Sequence, residues 1–325
     1  MGTLLWLTVS DRVSLAIAAT AVLAVRTALG NLTNVVHYAA SLFHSSLFLG
    51  DWSRFIEGSK ALMPAAGTVP APREPETIQI RDVVFTYPNK GRPAVDGVSL
   101  TLRRGELVAV LGENGSGKST LTRLMTGLYT PDKGQVLWDG VDVSRVDVNE
   151  AWEQTRFVTQ QFGYWPVSAR DNVTMGQPVS FGDERVWEAV GAVGMRGAFE
   201  ELPQGLDTLL ATELWGGVSM SGGQWQRIAC ARVLYRRPAV VVMDEPTSDM
   251  DPRGEHQMFQ LLREIAPGRI TVVVTHRLVN TKVADRIIVM DKGHIVEHGT
   301  FDQLVKGGGL FQELHELSLD RGESR

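Results

Sequence analysis

The chain has 325 residues, 43% of them hydrophobic, and a formal net charge of −5. This length and apolar content support a sizeable core and exclude a disordered or fibrous protein. The acidic balance leaves no global basic field of the kind that draws proteins onto DNA or RNA, so nucleic acid is not an expected partner.

The first element is apolar. Residues 13–30, "VSLAIAATAVLAVRTALG", carry Arg26 as their one charged side chain, and the run approaches the roughly 20 residues that span a bilayer. It reads as one transmembrane helix, with Arg26 facing a partner helix or snorkelling. A buried helix of a soluble domain is the alternative, because Arg26 and the alanines weaken the hydropathy. A signal peptide fits less well, since no basic region precedes the run. Up to residue 57 the stretch "NVVHYAASLFHSSLFLGDWSRFIEG" has no proline, so the helix is expected to continue into water with apolar residues that need a companion. Residues 58–76 hold Pro64, Pro70, Pro72 and Pro75 and read as a linker of extended, poorly packed backbone.

From Thr77 the pattern turns globular. "ELVAVL", "AVVVM" and "ITVVV" are short β-branched runs typical of strands buried on both faces. "RIIVMDKGHIVEHG" reads as two strands around a turn, and "GTFDQLVKG" restarts a helix with Thr300 and Gln303 at capping-box spacing. Strands alternating with helices predict an α/β domain around a parallel sheet. Between about 148 and 234 helix-like segments dominate, which predicts a helical subdomain. Cys230, the single cysteine, lies in "QRIACARVL" and reads as a buried small hydrophobe.

Three constellations carry chemistry. "GENGSGKS", Gly112 to Ser119, fits G-x-x-x-x-G-K-[ST] between a predicted strand and a predicted helix. Glycines there let N–H groups turn onto phosphate oxygens, Lys118 reaches the β- and γ-phosphates, and the Ser119 hydroxyl takes a Mg²⁺ position. "AVVVMDE" ends a strand in Asp244 and Glu245. Asp244 would hold Mg²⁺ through water and Glu245 would act as general base; an N-cap for the next helix is the plainer reading of such a pair. His276 follows a third strand, where a γ-phosphate could be met, although a histidine there can equally be structural. "VSMSGGQWQR", residues 218–227, looks like a second helix start with bare N–H groups fit for an anion, or else a capped helix after a tight turn.

In this order the motifs resemble the nucleotide-binding domain of ATP-binding cassette (ABC) transporters, from Ile78 to about Leu317. The resemblance implies a P-loop NTPase cassette with ATP and Mg²⁺ as cofactors. Gly112, Glu113, Asn114, Gly115, Ser116, Gly117, Lys118, Ser119 and Thr120 form its Walker A loop, and Lys118, Glu245 and His276 its catalytic set. Tyr87 of "FTYP" would stack on adenine, and Gln160 of "RFVTQQF" would touch Mg²⁺; family spacing favours it over Gln161. Ser119, Gln160 and Asp244 are thus the expected metal positions. In the family two cassettes pair head to tail, so Ser221, Gly222, Gly223 and Gln224 would cap the γ-phosphate held by a partner's cradle, with Asp251 of the D-loop "SDMD" nearby.

Upstream, "LTVSDRVSLAIAATAVLA" resembles the approach to the last membrane helix of ABC exporters. Such half-transporters have six helices, so the remainder is expected either from a longer gene product, which we favour, or from another polypeptide. The implied protein is an exporter of peptides or small hydrophobic molecules, multi-pass in the cell membrane, with a cytoplasmic cassette working in a homo- or heterodimer. A soluble non-transport ABC ATPase, or an ATP-binding regulatory module with little turnover, is the alternative. Met220 replaces Leu, a volume-conserving swap; Asp249 and Met250 replace Ala and Leu; and "TELWGG" keeps the exporter Thr-Glu but not its charged end.

Overall fold

The computed structural model describes residues 6, 14–62, 67, 69–88, 90–160, 162–176, 182–211, 216–248 and 250–320. It contains two compact units, Met1–Met63 and Pro64–Arg325. Gln161, Asp249 and the Thr212–Glu213 pair of "TELWGG" lie outside the described residues.

The first unit is dominated by one helix, α1 (Leu15–Leu62), of 48 residues, about 72 Å long at 1.5 Å per residue. The Thr20, Thr27 and Thr33 hydroxyls donate to the carbonyls of Ala16, Leu23 and Leu29 at 3.1, 2.9 and 2.9 Å, so these polar side chains are satisfied within the helix itself. Leu23, Leu29, Leu32 and Val36 are each at least 60% exposed. Among the described residues this is the helix long and apolar enough to cross a membrane, by length and composition. It runs five residues beyond 57, into the stretch expected to be linker. No proline interrupts it before Pro64, and the residue preceding a proline is biased away from helix.

The second unit begins with backbone that is extended but not loose. Val69 bridges Val146 in parallel, and the Ala71 N–H donates to the Glu150 carboxylate at 2.8 Å. The expectation of poor packing is corrected for residues 69–76, where the Val69, Glu74 and Glu76 N–H groups also find partners, at Arg145, Gln154 and Asp139 of the cassette.

Two sheets follow. β1 (Thr77–Phe85), β2 (Val95–Arg103), β4 (Lys133–Trp138) and β5 (Val141–Asp142) form an antiparallel sheet of order β2-β1-β4-β5. The second sheet has six strands in the order β10-β9-β3-β8-β7-β6. Its members are β3 (Leu107–Leu111), β6 (Thr155–Val158), β7 (Val240–Asp244), β8 (Ile270–Val274), β9 (Arg286–Asp291) and β10 (His294–Gly299). Pairing is parallel from β9 to β6, and β10 adds an antiparallel hairpin edge. β3, β7 and β8 are buried at every position, which explains their unbroken β-branched runs.

The helices are α2 (Lys118–Met125), α3 (Val148–Gln154), α4 (Ala169–Thr174), α5 (Gly182–Ala192), α6 (Arg196–Glu200), α7 (Gly222–Arg236), α8 (Pro252–Ile265), α9 (Phe301–Val305) and α10 (Leu310–Asp320). Helix α9 has both bonds of the capping box expected from Thr300 and Gln303. Helices α4 to α7 share a core with Phe199, Ile228 and Trp225. The 148–234 segment is not purely helical, because its β-branched and aromatic "TRFV" adds β6 to the parallel sheet beside β7. Cys230 lies inside this core, and burial pushes its thiol up to about 12.

Candidate functional site

The cradle joins β3 to α2. Gly112 and Gly117 adopt φ of +147° and +104°, and both are hemmed in by backbone. A Cβ on Gly112 would lie 2.2 Å from the Met290 carbonyl oxygen, and one on Gly117 2.3 Å from that of Ala94. Only glycine fits either position. The loop is pinned from the β9–β10 hairpin, where the Gly293 N–H donates to the Ser116 carbonyl at 3.0 Å. Lys118, the first residue of α2, is buried. Its Nζ donates to the Gly112 and Glu113 carbonyls at 2.7 and 2.8 Å, which stretches the ammonium across the mouth of the loop.

Asp244 ends β7, two strands from β3, and Glu245 follows directly. Burial pushes the Asp244 carboxyl above its ordinary range, against the pull of a Ser119 hydrogen bond and of the Lys118 and Arg123 charges. Burial also lowers the Lys118 pKa, opposed by Glu245 and Asp244. Ammonium and carboxylates are thus held together in a half-dry pocket, each charge made tolerable by the other.

Glu245 leaves the strand with φ +51°, a left-handed conformation that costs about 1–3 kcal/mol in a non-glycine residue. Its N–H donates to the Val274 carbonyl at 2.9 Å. The carboxylate is gripped on both oxygens: Gln160 Nε2 donates to Oε2 at 2.9 Å, and His276 Nδ1 lies 3.2 Å from Oε1. A carboxylate oriented in this way can take a proton from water. Two cavities meet at this point. One, of about 720 Å³, is lined by Tyr87, Lys118, Ser119, Gln160, Asp244 and Glu245 among others. The second, of about 560 Å³, shares Asn114, Gln160 and Glu245 with it and adds Gly112, Glu113 and His276.

Gly115, Gly117 and Thr120 also line the first cavity, while Ser116 is buried beneath the loop with its hydroxyl unpartnered. Tyr87 stands at the rim of the first cavity, its hydroxyl 3.1 Å from Thr120 Oγ1 and accepting from Arg123 at 3.2 Å. Ser221–Gln224 and Asp251 line neither cavity. Ser221 caps α7 through a complete capping box: its Oγ accepts from the Gln224 N–H at 3.2 Å, and Gln224 Oε1 accepts from the Ser221 N–H at 2.8 Å. The helix start is therefore less bare than expected, with Gly222 and Gly223 supplying the N–H groups that the box does not use. Asp251 caps α8, accepting from the Gly254 N–H at 2.6 Å.

Sequence reasoning missed several contributors. Lys90 and Arg92 line the cradle cavity from the turn after β1, and the cationic "NKGRP" beside the aromatic Tyr87 was the available signal. Gln226 is buried in α7 and donates to the Glu245 carbonyl at 3.2 Å; nothing in its own segment announces that contact.

A glycine-pinned loop at a parallel strand end, a helix opening on a buried lysine and a carboxylate pair on a nearby strand together define an α/β nucleotide-binding domain of the P-loop class. Residues 95–248 match the ABC transporter family. The chain is 38% identical over 265 residues to the cyclolysin secretion/processing ATP-binding protein CyaB of Bordetella pertussis, covering 81% of this chain and 35% of that protein. It is 36% identical over 253 residues to the ATP-dependent lipid A-core flippase of Aromatoleum aromaticum, covering 78% of this chain and 42% of the flippase. In fold it is similar to a bacterial Atm1-family ABC exporter with ATP bound, with a TM-score of 0.71 and 29% identity over 79% of this chain and 44% of that one. The chain carries an ATP-binding cassette of the ABC transporter family, as its motifs and fold class led one to expect. It spans less than half the length of these relatives.

Proposed function

We propose that this cassette hydrolyses ATP and drives an exporter, working as one of a head-to-tail pair. The convergence of Gln160 and His276 on the two oxygens of Glu245, where the cradle cavity meets its neighbour, carries the reading. Glu245 takes a proton from water as the water oxygen bonds to the γ-phosphorus. The bond from phosphorus to the β–γ bridging oxygen breaks, leaving ADP and inorganic phosphate. Lys118 and the loop N–H groups hold the β- and γ-phosphates, His276 faces the γ-phosphate, and Tyr87 stacks on the adenine.

A divalent cation suits the donors present. Ser119 and Asp244 both line the cradle cavity and supply a hydroxyl and a carboxyl oxygen there. Mg²⁺ characteristically takes one or two protein oxygens and completes its shell from phosphate and water. Ser119, Gln160 and Asp244 would hold it, and when bound it neutralises charge on the phosphates.

Ser221–Gln224 lie outside both cavities of their own chain, which supports a role at the nucleotide of a second cassette, with Asp251 at the same interface. Helix α1, apolar over most of its length and exposed, fits a membrane segment that other transmembrane helices cover. Residues 1–57 would then be the end of the membrane domain, joined by a linker within 58–76 to a cytoplasmic cassette from 77 onward. A secretion/processing protein and a lipid flippase among the relatives support a peptide or small hydrophobic cargo.

The test is Mg²⁺-dependent phosphate release by the full chain. Glu245→Gln should lower it by about 100-fold or more while ATP binding persists and ATP-bound dimers accumulate. Equal turnover in both proteins would remove Glu245 from its role.

A further inference from the structure

Glu255 stands in the first turn of α8 and is 7% exposed. Its carboxylate collects three donors from two other segments: Thr247 Oγ1 at 2.8 Å, Arg277 Nη1 at 2.5 Å and Asn280 Nδ2 at 2.5 Å. Thr247 lies two residues after Glu245, and Arg277 directly follows His276. One buried carboxylate therefore ties the turn that carries Glu245 to the turn that carries His276.

Regular structure does not fix that relationship unaided. The β7–β8 register ends at Asp244 and Val274, Glu245 departs in a left-handed conformation, and the His276 side chain is 56% exposed, so packing does not hold the imidazole. A charge-assisted hydrogen bond is shorter and stronger than a neutral one, and a buried carboxylate stripped of its partners is costly. The cluster thus resists separation of the two turns. Glu255 lines neither cavity and so has no access to substrate.

We infer that Glu255 is a positioning residue for hydrolysis, setting the approach of His276 to Glu245 through Thr247, Arg277 and Asn280. This rests on the roles proposed above for Glu245 and His276.

The experiment measures MgATP turnover, by release of labelled phosphate, and binding of a fluorescent ATP analogue, both with the full chain. Glu255→Ala should lower kcat about tenfold while KM for ATP stays within about twofold, the signature of a displaced group in an intact cradle. Glu255→Gln, which still accepts from Thr247 and Asn280, should recover part of that loss. Arg277→Met removes a single bond at a half-exposed side chain and should lower kcat about threefold, which keeps the inference testable should Glu255→Ala not fold. In a His276→Ala background, Glu255→Ala should add almost nothing, whereas a merely structural role would lower turnover by the same factor again. Wild-type kcat in both Glu255→Ala and Arg277→Met, or an equal effect with and without His276, would overturn the inference. Unchanged turnover in Glu245→Gln would overturn instead the assignment beneath it, so the two failures are distinguishable.

Discussion

The two glycine-rich helix starts look alike as sequence and are built on opposite physical principles. Helix α2 opens from Gly117 at φ +104° with no side-chain cap, and it brings a buried ammonium and a buried carboxyl together. Helix α7 opens from Ser221 at φ −69° with a complete capping box, and its first turn carries no cation of its own. The first start gives up stability to hold charge and backbone N–H groups ready for a highly charged ligand. The second is capped within its own chain, and its proposed role is to complete a site held elsewhere. Substitutions should therefore separate the two: at the buried charges of the cradle, function and stability move in opposite directions, and at α7 they move independently.

The largest effect is expected at Lys118. Lys118→Met should lower phosphate release by roughly 10²–10³-fold, the scale of losing a key electrostatic contact in an enclosed site. The nucleotide-free chain should melt no lower than wild type, because the substitution removes a charge that burial disfavours. A large fall in melting temperature with Lys118→Met would break the contrast. Next comes Gly117→Ala, whose new Cβ would meet the Ala94 carbonyl at 2.3 Å in a left-handed conformation. A loss of about 3 kcal/mol is expected from overpacking and backbone strain, read by denaturant unfolding. Gly223→Ala, inside α7, should instead gain about 0.5–1 kcal/mol from helix propensity.

Ser221 sharpens the comparison further. Ser221→Asp preserves an N-cap of similar quality, so stability should change by less than about 0.5 kcal/mol. It also places a negative charge where a partner's γ-phosphate is proposed to sit. Turnover should fall about tenfold or more while binding of an ATP analogue to the single chain is unchanged. Ser221→Ala loses the box and should cost about 1 kcal/mol. If turnover followed stability across these two variants, α7 would be only a capped helix, and the two-chain reading would fail.

What the sequence made legible follows from how local each cause is. β3, β7 and β8 could be read because burial on both faces writes itself into five consecutive positions. The cradle could be read because glycine and lysine at fixed offsets have few other uses. The capping role of Asp251 was also local, three residues before Gly254, yet the stronger pull of the D-loop resemblance hid it. Lys90 and Arg92 had a local signal in the cationic turn beside Tyr87, whereas Gln226 was illegible for a different reason. Its meaning lies in a contact far along the chain, with the Glu245 carbonyl 19 positions away, which its own segment does not announce. The same holds for β6: four residues are too few to outweigh the helical pattern on either side, and parallel pairing with β7 decides the matter.

The smallest effect tests the sign of the cradle's electrostatics. Burial raises the Asp244 pKa above its ordinary 3.8. Between 3.8 and the raised folded value the folded chain binds more protons than the unfolded one, so stability falls as pH rises through that interval and is level above it. Asp244→Asn removes the titration. The melting temperature of the variant relative to wild type should therefore be lowest in acid, climb through the interval, and hold a gain of about 2–4 °C at neutral pH if the penalty is near 1 kcal/mol. Ser221→Asp should show the reverse profile, since a carboxylate at a helix N-terminus is favoured when charged and its contribution is lost as pH falls. A neutral-pH loss in Asp244→Asn that closes in acid would mean that Ser119, Lys118 and Arg123 outweigh burial, and that the cradle, like α7, is satisfied within its own chain.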